Sequence, residues 1–327
     1  MDTLVQIGIE WIIAIQSLGG WLEAPMKFFT FLGSDNFFYL VLPLVYWSID
    51  AALGLRVGFI LIASASLNSM VKLWLAGPRP YWVSSEVNPF SAERSFGIPS
   101  GHAQNAVSVW GILASGIRKP WAWITTLTLA LLIGFSRWYL GVHFVHDGIL
   151  GWLIGFILLW LFIRFGDSVA AWFKSMSFTG QIAAAFLASL ILIGLGWVSA
   201  LPQAGYTFPA EWVDNALRAG PLPAPVSLEG FVSSAGTLFG FATGIAWLAT
   251  RGGYQASGPV GKRALRYVIG LIGVLLFWKG LDVVFPSGED FAGFFFRYFR
   301  YFLVGLWISA GAPYLFFHFK LSEKSKM

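Results

Sequence analysis

Long apolar runs, broken only at Gly, Pro or charged positions, decide what this 327-residue chain can become. They fall at about 36–49, 55–75, 103–117, 121–138, 147–165, 180–200, 229–250, 266–285 and 293–318. Runs of roughly 20 residues match an α-helix crossing a hydrocarbon core about 30 Å thick, whereas transmembrane strands need only about ten alternating residues. The expected fold class is therefore all-α: a polytopic transmembrane helical bundle of about nine spans. Composition agrees. Charged residues make up 11% of the chain and hydrophobic ones 57%, and so few charges cannot coat a water-facing surface. The chain has no Cys, which removes disulfide scaffolds and thiolate chemistry.

The connections between runs alternate in charge. One set holds Arg56, Arg118, Lys119, Arg164, Lys174, Arg251, Lys262, Arg263 and Arg266, then Lys320, Lys324 and Lys326, against only Asp50, Asp167 and Glu323. The opposite set (76–102, 138–146, 201–228, 286–292) holds Glu86, Glu93, Glu211, Asp214, Glu289 and Asp290. By the positive-inside rule the first set faces the cytoplasm, which puts the C-terminus inside and, with nine spans, the N-terminus outside. Asp2 precedes the first apolar stretch and no cationic leader is visible, so no signal peptide is expected. Residues 4–18, interrupted by Gln6 and Glu10, suit an interfacial helix as well as a span, and Gly19-Gly20 should break them. The Pro- and Ala-rich stretch 201–228 is either a lid or a connector.

Three polar clusters stand out, all on the outer set of loops. They are Lys72 through Arg79-Pro80; Pro99-Ser100-Gly101-His102; and Ser136-Arg137 through His143 to Asp147. Lys72, Arg79 and Arg137 can neutralise a dianion, the Arg forks matching phosphate oxygens. Ser100 and Gly101 stand where a helix begins, so their N–H groups and the Ser hydroxyl point toward an anion favoured by the helix dipole. Asp147, four residues after His143, can accept Nδ1–H and leave Nε2 as a nucleophile. His102 is a second imidazole, suited to general-acid work. The set reads as a phosphoryl-transfer site without a metal; the surrounding cations would repel a divalent ion, so no metal or cofactor is expected.

These residues match, at every position, the signature K-x6-R-P, P-S-G-H and S-R-x5-H-x3-D. The chain thus resembles the type 2 phosphatidic acid phosphatase and vanadium haloperoxidase superfamily over roughly residues 36–165. The resemblance implies that His143 attacks phosphorus to form a phosphohistidine while Asp147 orients it. It implies that His102 protonates the leaving alkoxide and then activates water, and that Lys72, Arg79, Ser100, Gly101 and Arg137 hold the phosphoryl oxygens. A second resemblance, to the glucose-6-phosphatase branch, rests on the nine-span plan, Arg79-Pro-Tyr-Trp82 and Gly236-Thr-Leu-Phe-Gly240. The expected organisation is a catalytic membrane core over 1–175 and additional transmembrane helices over 176–327.

The expected activity is an integral-membrane phosphomonoesterase with its site on the non-cytoplasmic face. Its expected partners are the bilayer and a phosphorylated lipid: phosphatidate, lysophosphatidate, a sphingoid-base phosphate or a polyprenyl phosphate. A sugar phosphate is the alternative substrate, a non-enzymatic transporter or scaffold the competing class, and no nucleic acid is expected. Beside the signature, Ser136 is expected to pack or cap, and His146 to fill the interface. Lys279 and Asp282, three apart in an apolar helix, are expected to pair. Arg297 and Arg300 either snorkel to headgroups or steer an anionic substrate.

Overall fold

The computed structural model describes residues 3–323, so Asp2, Lys324 and Lys326 lie outside the described residues. The described chain is helical throughout, with no strand. The first helices are α1 (Thr3–Gln16), α2 (Glu23–Phe31), α3 (Asp35–Leu44), α4 (Ala51–Leu75) and α5 (Pro80–Val83). After a long loop come α6 (Gly101–Ile117), α7 (Pro120–Tyr139), α8 (Val145–Ser175), α9 (Phe178–Ala200) and the short α10 (Ala210–Leu217). The rest are α11 (Glu229–Ala249), α12 (Val260–Leu275), α13 (Leu281–Val284), α14 (Phe291–Leu306) and α15 (Ala312–His318). The starts follow local chemistry: Pro120 and Pro80 open α7 and α5, where a missing N–H costs nothing, and Asp290 caps α14 by accepting from the Gly293 N–H at 2.7 Å.

Helices stand where every apolar run was placed, but the count of nine spans is not reproduced. Among the described residues, six segments are long and apolar enough to cross a membrane: Ala51–Val83, Val145–Ser175, Phe178–Gln203, Glu229–Ala249, Val260–Val284 and Phe291–His318. The pair Thr3–Gln16 and Gly20–Phe31, bent by 87° at the Gly19-Gly20 break, would make a seventh if it counts as one span. Among the others, α6 has 17 residues and buries Gln104, Asn105 and Ser108, polar groups that a lipid-facing span would not carry. Ile149, Leu153, Phe156 and Trp160 on α8 and Leu187 and Ile191 on α9 are exposed apolar faces, as expected of helices bathed in lipid.

Contacts divide the chain into two compact units. The first comprises residues 1–38, 67–160 and 198–227. Its centre packs Ala106 of α6 against Ala130 and Ile133 of α7, flanked by Leu32, Trp110 and Trp152. On α8, Gly151 and Gly155 face the backbone of α6. A methyl at Gly151 would lie 2.5 Å from the Ser100 carbonyl, and one at Gly155 2.5 Å from that of Gln104. Small residues four apart let the two backbones touch, as in close-packed membrane helices. A Gly151→Leu protein should therefore lose about 1–3 kcal/mol of stability from overpacking, read as a lower thermal midpoint in detergent; an unchanged midpoint would show that this seam tolerates separation. The 201–228 stretch packs onto its own unit: Asn215 donates to the Trp82 carbonyl at 3.2 Å, Arg218 to that of Ser85 at 2.7 Å, and Phe208 sits edge-on to Trp82.

The second unit comprises residues 39–66, 161–197 and 228–327. Here Gly236, Gly240 and Gly244, spaced along one face of α11, abut the carbonyls of Tyr298 and Phe302 and the Ser309 hydroxyl. Gly236-Thr-Leu-Phe-Gly240 is thus a helix-packing seam. The expected Lys279–Asp282 pair does not form. A π-helical turn (Leu276–Gly280) lies between α12 and α13 and disturbs the i, i+3 alignment of the two side chains. Asp282 instead pairs with Arg300, while the Lys279 ammonium sits 4.2 Å from the centre of the Trp278 ring. Arg297 pairs with Glu229 at 2.7 Å. Both arginines are therefore held by carboxylates rather than free at a headgroup layer.

Candidate active site

All eight signature residues fall in the first unit, and three turns bring them together. Lys72 lies in the last turn of α4, Arg79 immediately before α5, and Arg137 in the last turn of α7. Ser100 caps α6, its hydroxyl accepting from the Ala103 N–H at 3.4 Å. The turn from α7 to α8 needs a left-handed residue, and Gly141 supplies it with φ +72°. A side chain there would also meet the Asn88 carbonyl at 2.6 Å.

That turn places His143 two residues before α8, with Asp147 in the first turn. His143 Nδ1 lies 3.1 Å from Asp147 Oδ2, which also accepts from the Phe144 N–H at 2.9 Å. The carboxylate is thereby fixed by the backbone as well as by the ring. On the other side, His143 Nε2 lies 3.3 Å from Arg79 Nη1. A guanidinium can only donate, so Nε2 must present a lone pair, and the proton belongs on Nδ1 facing Asp147. Burial, followed by the charges of Arg79 and Lys72, holds the imidazole well below the usual histidine range. The result is a neutral, oriented ring with a bare nitrogen among cations.

The cations are more fully engaged than their sequence pattern suggests. Arg79 donates from Nε to the Ser95 carbonyl (2.7 Å), from Nη1 to the Val142 carbonyl (2.9 Å), and from Nη2 to the Ser95 hydroxyl (3.1 Å) and the Phe96 carbonyl (3.0 Å). Lys72 Nζ donates to the carbonyls of Phe96 and Gly97, the latter at 3.0 Å. Arg137 donates from Nη1 to the Thr30 hydroxyl at 2.5 Å and pairs through Nη2 with Glu93, while its buried Nε has no partner.

Gly101 and His102 begin α6, where no preceding carbonyl of the helix can take their N–H groups. The Ser100 N–H is different from the expectation: it donates to the Asp147 carbonyl at 2.9 Å and so ties the two motifs together rather than facing an anion. His102 is partly buried on the first turn of α6. Ser136 bonds the Ile133 carbonyl at 2.7 Å, a helix-internal role. His146 is half exposed and stacks on Phe144, but its Nε2 also comes within 3.2 Å of Asp147 Oδ1, closer to the site than interfacial filling implies. Among the described residues, no three His, Asp or Glu side chains converge as metal ligands would.

Two residues at the site escape the sequence reading. Glu93 meets Arg137, and its carboxyl is held at about 2: burial alone would raise it, but Arg137, Arg79, His102 and Lys72 together outweigh that. Thr30, on α2, reaches Arg137 from outside the motif region. In sequence Glu93 is one more outer-loop acid beside Glu86, and no spacing marks it.

Residues 53–170, which contain all three motifs, match the model of the PAP2 superfamily, and residues 232–324 match that of the PAP2 superfamily phosphatase transmembrane extension. The chain is also 31% identical over 166 residues to phosphatidylglycerophosphatase B of Bacillus subtilis (strain 168), covering 77% of that protein and 46% of this one. This chain belongs to the PAP2 superfamily. It is a multi-pass integral membrane member, as the apolar helices require. A further relative, glucose-6-phosphatase 3 of Rattus norvegicus, is 31% identical over 186 residues, 49% of this chain. The chain spans 54% of the length of that relative. Among solved structures it is similar to a transmembrane PAP2-type phosphatidylglycerolphosphate phosphatase from Bacillus subtilis, with 26% identity, 52% of this chain and 89% of that chain covered, and a TM-score of 0.45.

Proposed function

We propose that this protein is a phosphomonoesterase that hydrolyses a lipid phosphate through a phosphohistidine. The observation that carries the reading is the orientation of His143: Nδ1 against Asp147, and Nε2 bare and facing Arg79. In the first step Nε2 attacks phosphorus, the N–P bond forms, and the ester P–O bond breaks. His102 gives its proton to the departing alkoxide; burial and then Arg137 hold its imidazole down at about 3 in the empty site, so it takes up that proton only beside the negative phosphoryl group. In the second step His102 takes a proton from water, the oxygen attacks phosphorus, and the P–N bond breaks to release phosphate. Lys72, Arg79, Arg137, the Ser100 hydroxyl and the Gly101 N–H balance the equatorial charge. No metal is needed in this scheme.

The substrate reading rests on the membrane setting: an amphiphile such as phosphatidate, lysophosphatidate, a sphingoid-base phosphate or a polyprenyl phosphate reaches the site sideways from the outer leaflet. The phosphatidylglycerophosphatase relative supports a lipid. A sugar phosphate is the second reading, supported by the glucose-6-phosphatase relatives. We place the site on the non-cytoplasmic face and the C-terminus in the cytoplasm, from the loop charges. Residues 1–175 are proposed as the catalytic core and 176–327 as added helices, in keeping with the two matched segments.

A panel of lipid phosphates and glucose 6-phosphate, assayed in detergent with EDTA, tests this. Release from at least one lipid phosphate, inhibited by vanadate, is expected. Release from glucose 6-phosphate alone would favour the second reading. No release from any member would favour a transporter or scaffold.

A further inference from the structure

Lys72 and Arg79 are satisfied by neutral groups, the carbonyls and hydroxyl of Ser95, Phe96 and Gly97. Arg137 alone among the three cations is met by a full negative charge. Its side chain is 2% exposed, so that charge pairing is screened little by water. Thr30 takes one N–H of Nη1 and Glu93 one N–H of Nη2, while Nε has no partner. An anion arriving at a remaining N–H of Arg137 must therefore displace Glu93 or lie near its carboxylate at the cost of like-charge repulsion.

The two ends of Glu93 are held differently. Its backbone is fixed by Tyr81, whose hydroxyl donates to the Glu93 carbonyl and accepts from the Glu93 N–H, both at 3.2 Å. Its side chain is 25% exposed, so water is available to receive the carboxylate when it leaves Arg137. The backbone stays and the carboxylate can swing.

We propose that Glu93 is an internal competitor for the phosphate: its carboxylate occupies Arg137 in the empty site, yields to the substrate phosphoryl group, and returns to help expel inorganic phosphate. It is a positioning residue acting through Arg137, and the proposal rests on the reading of this site as a phosphate site. Three cations gathered at one place would otherwise hold the product dianion tightly and slow its release. The groups that face Glu93 are Lys72, Arg79, His102, Arg137 and, as a second carboxylate, Asp35. With its carboxyl held at about 2, Glu93 stays ionised through the neutral range, so mild acid does not release it.

The test is calorimetric titration of the full-length protein in detergent with inorganic phosphate. Glu93→Gln is expected to tighten phosphate binding by about tenfold or more, and to lower KM for a phosphorylated substrate in parallel. With Glu93 ionised throughout, the tightening should persist from about pH 8 down to about pH 5. Should Glu93→Gln not fold, Glu93→Asp, with the carboxylate withdrawn by one methylene, is expected to tighten binding by a smaller factor. Unchanged or weaker binding in the variant that folds would overturn the proposal and make Glu93 a scaffold for Arg137. Tightening that vanishes as pH falls to about 5 would also overturn it. Wild-type protein that binds no phosphate would sink the reading of the site together with the proposal, whereas binding that does not tighten sinks the proposal alone.

Discussion

His143→Ala is expected to lower phosphate release by about four orders of magnitude or more, because it removes the one nitrogen oriented for attack. His146 cannot substitute: it is half exposed, lies on the other oxygen of Asp147 and stacks on Phe144. The fold should survive, since the α6–α8 junction is made by backbone, with the Ser100 N–H on the Asp147 carbonyl. Asp147→Asn should cost about two to four orders of magnitude with binding little changed, because an amide can donate to Nδ1 and so favour the wrong tautomer. In the wild-type protein, burial and then Arg79 and Lys72 depress the His143 pKa, so the acid limb of kcat/KM assigned to this group should lie below the ordinary value of 6.5. The same shift has a stability consequence with a definite sign. Below about 6.5 the unfolded chain binds a proton at His143 that the folded chain refuses, so stability is lost as pH falls through that value. Steady-state assays with matched thermal midpoints check both. A His143→Ala protein retaining more than a few per cent of wild-type release would remove the phosphohistidine from the scheme.

The helical class and the positions of the helices were legible because the apolar runs are long and each helix satisfies its own backbone. What the runs could not give was which helices face lipid. Residues 103–117 read as a span by length, yet α6 buries Gln104, Asn105 and Ser108 in protein. The three motifs were legible for a different reason: their residues are chemically rare in so apolar a chain. Their partners were not. Lys72 and Arg79 are met largely by main-chain carbonyls, which every residue carries and no sequence pattern advertises. Glu93 and Thr30 reach Arg137 only because the loop before α6 and the end of α2 converge, a long-range event with no local signal. The Lys279–Asp282 expectation failed on local geometry: i, i+3 spacing implies contact only in a regular α-helix, and Lys279 sits in a π turn while Asp282 sits in the helix after it.

Arg79→Lys is expected to reduce kcat by about 10²–10³-fold while keeping the charge, a loss of the size seen when one preorganised donor is removed. Arg79 places all five of its N–H groups: on the Ser95 carbonyl and hydroxyl, the Phe96 carbonyl, the Val142 carbonyl and His143 Nε2. Lysine offers three donors from a single atom and cannot span from the Ser95–Phe96 loop to His143. The Phe96 carbonyl keeps Lys72, but a single ammonium cannot reach all four remaining acceptors, and each one left unpaired costs about 1–3 kcal/mol before relaxation. The contact with Nε2 bears most directly on rate. In the proposed scheme a phosphoryl oxygen that takes Nη1 brings the phosphorus in front of the nitrogen that Nη1 had occupied, so one guanidinium would both guard the nucleophile and deliver the electrophile. Lysine at this position would supply attraction without that alignment, and kcat should fall further than KM rises. If the loss appeared entirely in KM, Arg79 would be a simple counter-charge, interchangeable with Lys72. If kcat stayed within about threefold of wild type, the fork would be holding the loop and not the reacting groups.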